Sequence, residues 1–189
     1  MSKRRRIGHG DARWQYAWVE LMTWGVQRHS RLGVEIEPAP PEVRAGTYRP
    51  VTFDEFGEPV GAAVSSGEST YGPGGAELLA PGDSAWLVLP IGPFRIRAPA
   101  RVIYVIDEQN KRGFAYGTIA GHPFDGEERF MVERRDDGSV WLTVSSFSRP
   151  SSKFWWMLYP VLRLQQALYM ARYLRSLSGP IPGETNGGG

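Results

Sequence analysis

The sequence predicts an α+β protein in which a curved antiparallel sheet of about six or seven strands wraps around a long C-terminal helix, with a shorter N-terminal helix before it. Two patterns predict this arrangement. Six short β-prone runs follow one another between residues 84 and 147, too close together for helical crossovers, so their strands must be antiparallel. From about residue 152 to 177 the apolar residues then recur at helical spacing.

Composition indicates one globular domain. The chain has 189 residues, a net charge of +2, and 41% hydrophobic and 22% charged residues. We expect a single domain over residues 1–178, with a Gly/Pro-rich insertion near 45–75 and a disordered tail over 179–189. The chain contains no cysteine, which excludes disulfides, thiolate metal sites and thiol nucleophiles.

Targeting signals are absent from the sequence pattern. The basic start from Lys3 to Arg6 is not followed by the apolar segment of a secretory signal. No apolar run approaches the ~20 residues that a membrane-spanning helix requires. We therefore expect a cytoplasmic protein without a transmembrane segment, and we interpret Lys3 to Arg6 as a solvated, mobile terminus.

The first helix is predicted over residues 11–29, with Asp11 as its N-cap. Its apolar stripe consists of Trp14, Trp18, Leu21, Met22 and Val26. Short strands are predicted at Val34–Ile36 and, inside the insertion, at Val60–Val64.

The six β-prone runs are bounded by turn-forming residues. They are Ala85–Leu89, Phe94–Arg97, Arg101–Asp107, Gly113–Ile119, Glu128–Arg134 and Val140–Phe147. The segment Asp136–Gly138 is close to the Asp-Gly signature of a hairpin turn. In the last run Val140, Leu142 and Val144 share one face while Trp141 lies on the other, as in a sheet with one covered face.

The C-terminal helix is predicted over about 152–177 and should cover that face. Its apolar stripe consists of Met157, Val161, Leu164, Leu168, Ala171 and Leu174. Arg163, Gln166, Arg172 and Arg175 lie away from this stripe and are expected to face solvent.

A curved sheet contacts a helix along a line, so the remaining space must be filled by side chains or by a ligand. The leading prediction is a module that binds a hydrophobic or amphipathic small molecule between the sheet and the C-terminal helix. Tyr104, Tyr116, Thr118 and Trp141 are the candidate ligand-binding residues. The alternative is that the many aromatic side chains simply fill the core.

Several motifs at characteristic spacing carry a resemblance to a known family. They are Gly92-Pro93-Phe94, Ala98 to Val102, Gly113 to Thr118, Gly121-His122-Pro123, Gly126 to Phe130, Asp136 to Trp141 and Phe147 to Pro150. With these motifs the chain resembles the uncharacterised domain-of-unknown-function family nineteen-ninety, over about residues 76–177 and less specifically over 5–36. That family is similar to the START-like helix-grip superfamily, which implies a cavity between sheet and helix and no established activity.

A second hypothesis is an enzyme, hydrolase- or cyclase-like, using His122 with Glu127 or Glu128. Imidazole titrates near neutral pH and a carboxylate could orient it. Because side chains alternate along a strand, only one of the two glutamates can face the cavity. For a buried glutamate we expect an arginine partner such as Arg97 or Arg101.

A third hypothesis is binding to nucleic acid or an anionic surface through Lys3 to Arg6 with Arg163, Arg172 and Arg175. The small net charge disfavours nucleic acid as the partner. No metal site is expected, because the three histidines are scattered, and no cofactor is expected, because phosphate-loop and dinucleotide motifs are lacking. The sequence leaves the oligomeric state open.

Overall fold

The computed structural model describes residues 1–37, 51–53, 59–62, 71–91, 94–119, 124–150 and 159–182. His122 and the predicted start of the C-terminal helix, residues 152–158, lie outside these described residues. So do Ala63 and Val64, the end of the strand predicted in the insertion, and most of the predicted tail.

Twelve helices and strands are found in the described residues. In chain order they are β1 (Ser2–His9), α1 (Gly10–Leu21), α2 (Gly25–His29), β2 (Gly33–Glu37), β3 (Val51–Phe53), β4 (Pro59–Ala62), β5 (Ser84–Ile91), β6 (Phe94–Glu108), β7 (Lys111–Thr118), β8 (Phe124–Arg134), β9 (Ser139–Pro150) and α3 (Tyr159–Ser176).

Seven of the described strands form one curved, open antiparallel sheet in the order β1-β9-β8-β7-β6-β5-β2. The predicted α+β fold class is therefore confirmed. Two predicted runs merge into the single long strand β6, because Pro99 does not interrupt the sheet and its carbonyl accepts a hydrogen bond from the Ile119 amide at 3.2 Å. Strands β3 and β4 pair separately.

The basic N-terminal segment is an edge strand, so its interpretation as a mobile terminus was wrong. Strand β1 pairs with β9 from Ser2–Ser145 to His9–Ser139. Two side chains strengthen this pairing: Ile7 is buried in the core, and the guanidinium of Arg4 lies 5.2 Å from the ring centre of Trp141.

The predicted first helix is two helices. Helix α1 ends at Leu21, and Trp24 takes a left-handed conformation (φ 63°) before α2 begins at Gly25. This break turns the fully buried Trp24 ring against Phe114, at a centroid distance of 5.1 Å. The prediction that Asp11 caps α1 was also wrong: the N-cap is His9, and Asp11 lies in the first turn, where a carboxylate favours the helix dipole.

The core lies between the inner face of the sheet and the three helices. Val140, Leu142 and Val144 are fully buried, which confirms the predicted inner face of β9. The buried helical side chains include Trp14, Ala17, Trp18, Leu21, Trp24, Val26, Tyr169, Met170 and Tyr173.

The apolar stripe predicted for α3 was wrong at three of its positions. Leu174 does pack against the core, and Met157 and the Val161 side chain lie outside the described part of the chain. Leu164 and Leu168 are 63% and 45% exposed, and Ala171 is exposed. The buried residues are instead Tyr169, Met170, Tyr173 and Leu177, so the helix is rotated by ~170° from the predicted orientation and packs on the core with nearly the opposite face. The rotation brings the Tyr173 ring edge-on to Phe130 at 5.1 Å.

Candidate functional site

A pocket of about 260 Å³ lies between the inner face of the sheet and α3. Most of its wall is apolar. The sheet contributes Lys3, Leu87, Leu89, Ile96, Ala98, Tyr116, Thr118, Gly126, Glu127, Glu128, Ser146 and Phe147; the rest comes from Met1, Leu32, Arg163, Gln165, Gln166, Ala167, Tyr169, Met170 and Tyr173. Arg163 and Gln166, which were expected to face solvent only, are thus part of the wall.

The polar part of the wall is centred on Glu128. The hydroxyl of Tyr116 donates a hydrogen bond of 2.5 Å to Glu128 Oε2. Ser146 also contacts this carboxylate, and Tyr173 contacts Tyr116. We call Glu128, Tyr116, Tyr173 and Ser146 the Glu128 cluster. Tyr116 on β7 and Glu128 on β8 are directly opposite each other in register. Ser146 is on β9 and Tyr173 on α3, so the cluster joins three strands to the helix.

Burial dominates the electrostatics of this cluster. It raises the pKa of Glu128, and the hydrogen bonds from Tyr116 and Ser146 oppose that rise. Burial and the neighbouring Glu128 charge raise the pKa of Tyr116 well above its usual value. The pKa of Tyr173 is raised for the same reasons, so both tyrosines remain neutral hydrogen-bond donors at physiological pH.

The arginine partner expected for the buried glutamate is absent from the described residues. Arg97 pairs with Glu35, and Arg101 donates to Ser84 Oγ at 3.1 Å. The reason is strand alternation: Ala98 and Ala100 of β6 point into the core, so the two arginines on either side of them point outward.

Glu127 lies on the opposite face from Glu128, as alternation requires. Its Oε1 accepts a hydrogen bond of 3.3 Å from the hydroxyl of Tyr104. Tyr104 pairs with Ala115, between the inward-facing Phe114 and Tyr116. Burial and the Glu127 charge raise the pKa of Tyr104. Glu127 is part of the pocket wall and Tyr104 is not, so Tyr104 touches the pocket only through Glu127.

Trp141 also lies away from the pocket, on the outer face. Its indole nitrogen donates to Ser139 Oγ at 2.9 Å, and the Arg135 guanidinium lies 4.9 Å from its ring centre. Of the four candidate ligand-binding residues, Tyr116 and Thr118 line the pocket and Tyr104 and Trp141 do not. The Thr118 hydroxyl accepts from the Gly126 amide at 3.0 Å, so it also ties β7 to β8.

Sequence reasoning missed the contribution of α3 to this site. Tyr169 and Tyr173 are buried and line the pocket. Their spacing of four residues was a usable signal, because it places two polar-tipped rings on one helix face.

The described residues contain neither a cluster of metal-ligating side chains nor a membrane-spanning helix. No three His, Asp or Glu side chains of that part of the chain are grouped as a metal site would require. No helix within the described ranges combines the length and apolar character needed to cross a membrane.

These features define an α+β protein whose curved antiparallel sheet and C-terminal helix enclose a partly polar pocket. The model of the family described as Domain of unknown function (DUF1990) matches residues 74–176, more than half of the chain. The chain belongs to this family, and the predicted family resemblance is confirmed. The resemblance to the START-like superfamily stays a prediction.

The curated relatives found include proteins called UPF0548. One from Deinococcus radiodurans is 40% identical over 77 residues, covering 41% of this chain and 39% of the relative. One from Arabidopsis thaliana, At2g17695, is 34% identical over 77 residues, covering 38% of each chain. One from Dictyostelium discoideum is 33% identical over 100 residues, covering 47% of this chain and 46% of the relative. The matched stretches thus span less than half the length of these relatives.

Solved structures also match. The crystal structure of TTHA0849 from Thermus thermophilus has a TM-score of 0.48 and 13% sequence identity, covering 94% of this chain and 93% of its own.

Proposed function

We propose that this protein binds a small hydrophobic or amphipathic molecule in the pocket between the sheet and α3. The observation that carries the proposal is the make-up of the pocket wall, which is mostly apolar but holds the Glu128 cluster. An apolar lining with a few oriented polar groups is typical of small-molecule sites. The volume of about 260 Å³ is just below the ~300–1,000 Å³ of sites for drug-sized ligands, which favours a compact ligand.

Within this proposal the residues have different roles. Tyr116 supplies an aromatic wall and holds Glu128 in place, and Thr118 supplies its methyl group because its hydroxyl is bonded to β8. Tyr104 and Trp141 act from the outer face, where they stabilise the sheet. A cytoplasmic location is part of the same proposal and is supported by the absence of cysteine.

The other two hypotheses have no specific observation in their favour. The enzyme hypothesis needs His122 close to Glu127 or Glu128. His122 lies outside the described residues, and both glutamates, although they line the pocket, already accept hydrogen bonds from tyrosines, Glu127 from Tyr104 and Glu128 from Tyr116. For the anionic-surface hypothesis, Arg4 and Arg172 already lie over rings of their own chain, those of Trp141 and Tyr169.

A bulky side chain at the pocket wall tests the proposal. Ala167 is exposed on α3 and lines the pocket, whereas Ala171 is exposed one turn further on and does not line it. We expect the neutral fluorescent probe N-phenyl-1-naphthylamine to bind the wild-type protein with a blue-shifted emission. Ala167→Trp should weaken this binding at least about ten-fold, the equivalent of ~1.4 kcal/mol, and Ala171→Trp should leave it unchanged.

Two outcomes would contradict the proposal. One is that the wild-type protein does not bind the probe. The other is that both tryptophan variants weaken binding equally, which would place the probe on the exposed surface of α3. Circular dichroism of each variant checks that the fold is retained.

A further inference from the structure

We propose that the ligand of this pocket carries a protonated amine, and that Glu128 binds the ammonium group. This inference rests on the proposed function and adds to it the charge of the ligand. It follows from three features of the pocket: a carboxylate whose partners among the described residues are neutral, hydroxyl and ring groups that suit an ammonium ion, and an apolar remainder.

The first feature is the surroundings of the Glu128 carboxylate. Its partners are the neutral hydroxyls of Tyr116 and Ser146. Lys3 and Arg163 also line the pocket, but no described lysine, arginine or histidine forms an ion pair with Glu128. A partly desolvated carboxylate without a cation is costly, and its raised pKa reflects that cost. A cationic ligand would remove it.

The second feature is the set of hydroxyls and rings beside Glu128. An ammonium group has three N–H donors, so after one bond to the carboxylate it needs further acceptors. Such acceptors are the hydroxyl oxygens of Tyr116 and Ser146 beside the carboxylate, while Tyr169 contributes its ring, with the Arg172 guanidinium 5.2 Å from the ring centre. Tyr169 and Tyr173 have ring centroids 6.1 Å apart, and tyrosine ring faces attract cations.

The third feature is the apolar remainder of the wall. Leu87, Leu89, Ile96 and Ala98 line the pocket from β5 and β6. These side chains suit an aliphatic or aromatic group attached to the amine. The ligand class is therefore a small amphipathic amine, and a carboxylate ligand of the same size would be repelled by Glu128.

A head-group series tests the inference with wild-type protein. Octylammonium, octanol and octanoate have the same chain length and differ in charge, and their binding can be measured by isothermal titration calorimetry. We expect octylammonium to bind at least about ten-fold more tightly than octanol, since hydrogen bonds to charged groups contribute ~1.5–3 kcal/mol. Octanoate should bind least.

Glu128→Gln removes the charge and keeps a side-chain oxygen for the Tyr116 hydroxyl. It should abolish the preference for octylammonium over octanol, bringing the ratio of the two affinities to within about two-fold of one. Glu133→Gln is the matched control, because Glu133 is on the same strand and outside the pocket wall; it should change neither affinity. If the Glu128 variant does not fold, the wild-type series still decides.

The outcomes separate this inference from the proposed function. If octanol binds as tightly as octylammonium, or if the Glu128 variant keeps the amine preference, the amine inference is overturned while small-molecule binding stands. If none of the three compounds binds and N-phenyl-1-naphthylamine is not retained either, both proposals are overturned.

Discussion

The two ends of the β8–β9 hairpin each carry a carboxylate, and the two carboxylates have opposite surroundings. At the turn, Asp137 Oδ1 accepts hydrogen bonds from the amide of Ser139 at 2.9 Å and from its hydroxyl at 2.5 Å. These bonds lower the pKa of Asp137. Towards the other end, Glu128 lies against the pocket, and burial raises its pKa.

The turn also satisfies its backbone groups with neighbouring residues. His9 Nε2 lies 2.8 Å from the carbonyl oxygen of Asp137, and the Gly10 amide donates to the Gly138 carbonyl at 2.9 Å. An acidic residue whose carboxylate accepts its hydrogen bonds from within its own turn has a structural role. A carboxylate that faces a pocket and has only neutral partners among the described residues has bonding capacity left for a ligand, which is why we propose the ligand-binding role for Glu128.

The largest change in the free energy of unfolding should come from truncating Phe130, which belongs to the layer of buried aromatic rings between the two ends of the hairpin. Phe130 is fully buried and stacks on Phe114 and Tyr116 at 5.7 and 5.8 Å. Phe130→Ala should lower the free energy of unfolding by about 3–5 kcal/mol, because it leaves a cavity in the core. Denaturant unfolding followed by tryptophan fluorescence measures the loss.

The matched control is Met131→Ala, on the other face of the same strand and partly exposed. It should cost no more than about 1–2 kcal/mol. If the two variants lost the same free energy of unfolding, the buried aromatic layer would not be what stabilises the sheet between the two ends of the hairpin.

The turn end could be predicted from the sequence and the pocket end only in part. The Asp136–Gly138 turn depends on residues next to one another, so its signature is local. Glu128, by contrast, meets Tyr173 only because α3 packs on the sheet with its tyrosines inward. The spacing of the leucines predicted that a different face of α3 packs on the sheet. The reason is that aliphatic residues are counted as core positions more readily than tyrosines, whose rings end in a polar hydroxyl.

Two backbone features also escaped sequence reasoning. Trp24 adopts a left-handed conformation that few non-glycine residues take, so nothing local predicted the break between α1 and α2. The basic segment in β1 lacks β-prone residues at most positions, and its strand exists because β9 offers a free edge for pairing. In both cases tertiary packing decides the local structure.

A smaller effect is expected from Gly138→Ala at the turn. Gly138 has φ +74°, and a Cβ there would lie 2.8 Å from His9 Nε2. The backbone strain costs about 1 kcal/mol or more, and displacement of His9 should bring the total to about 2 kcal/mol. Thermal unfolding measures the change.

Gly74→Ala is the control that separates the cost of backbone strain from the cost of displacing His9. Gly74 has φ +84°, but nothing lies within 4 Å of a Cβ at that position. We expect it to cost about 1 kcal/mol, less than Gly138→Ala. The contact between His9 and the turn would be unimportant if the two variants lost the same free energy.

The smallest effects, opposite in sign, are expected when each carboxylate loses its charge. Because the pKa of Glu128 is raised, its charged form is disfavoured in the folded protein, and Glu128→Gln should increase the free energy of unfolding at neutral pH. The pKa of Asp137 is lowered, so its charged form is favoured, and Asp137→Asn should decrease it. Urea unfolding of both variants and the wild-type protein measures the two differences.

The pH dependence sharpens this contrast. The stabilisation due to Glu128 is fully present below its ordinary pKa of 4.5 and is lost as the pH rises through the raised folded value. That due to Asp137 is present above its ordinary pKa of 3.8 and is lost as the pH falls through the lowered folded value. The unfolding free energy of wild type minus that of Glu128→Gln should therefore fall with rising pH, and the same difference for Asp137→Asn should rise. If the two differences changed with pH in the same direction, the folded protein would shift the pKa values of Glu128 and Asp137 in the same direction. The proposed ligand-binding role of Glu128 would then lose its electrostatic basis.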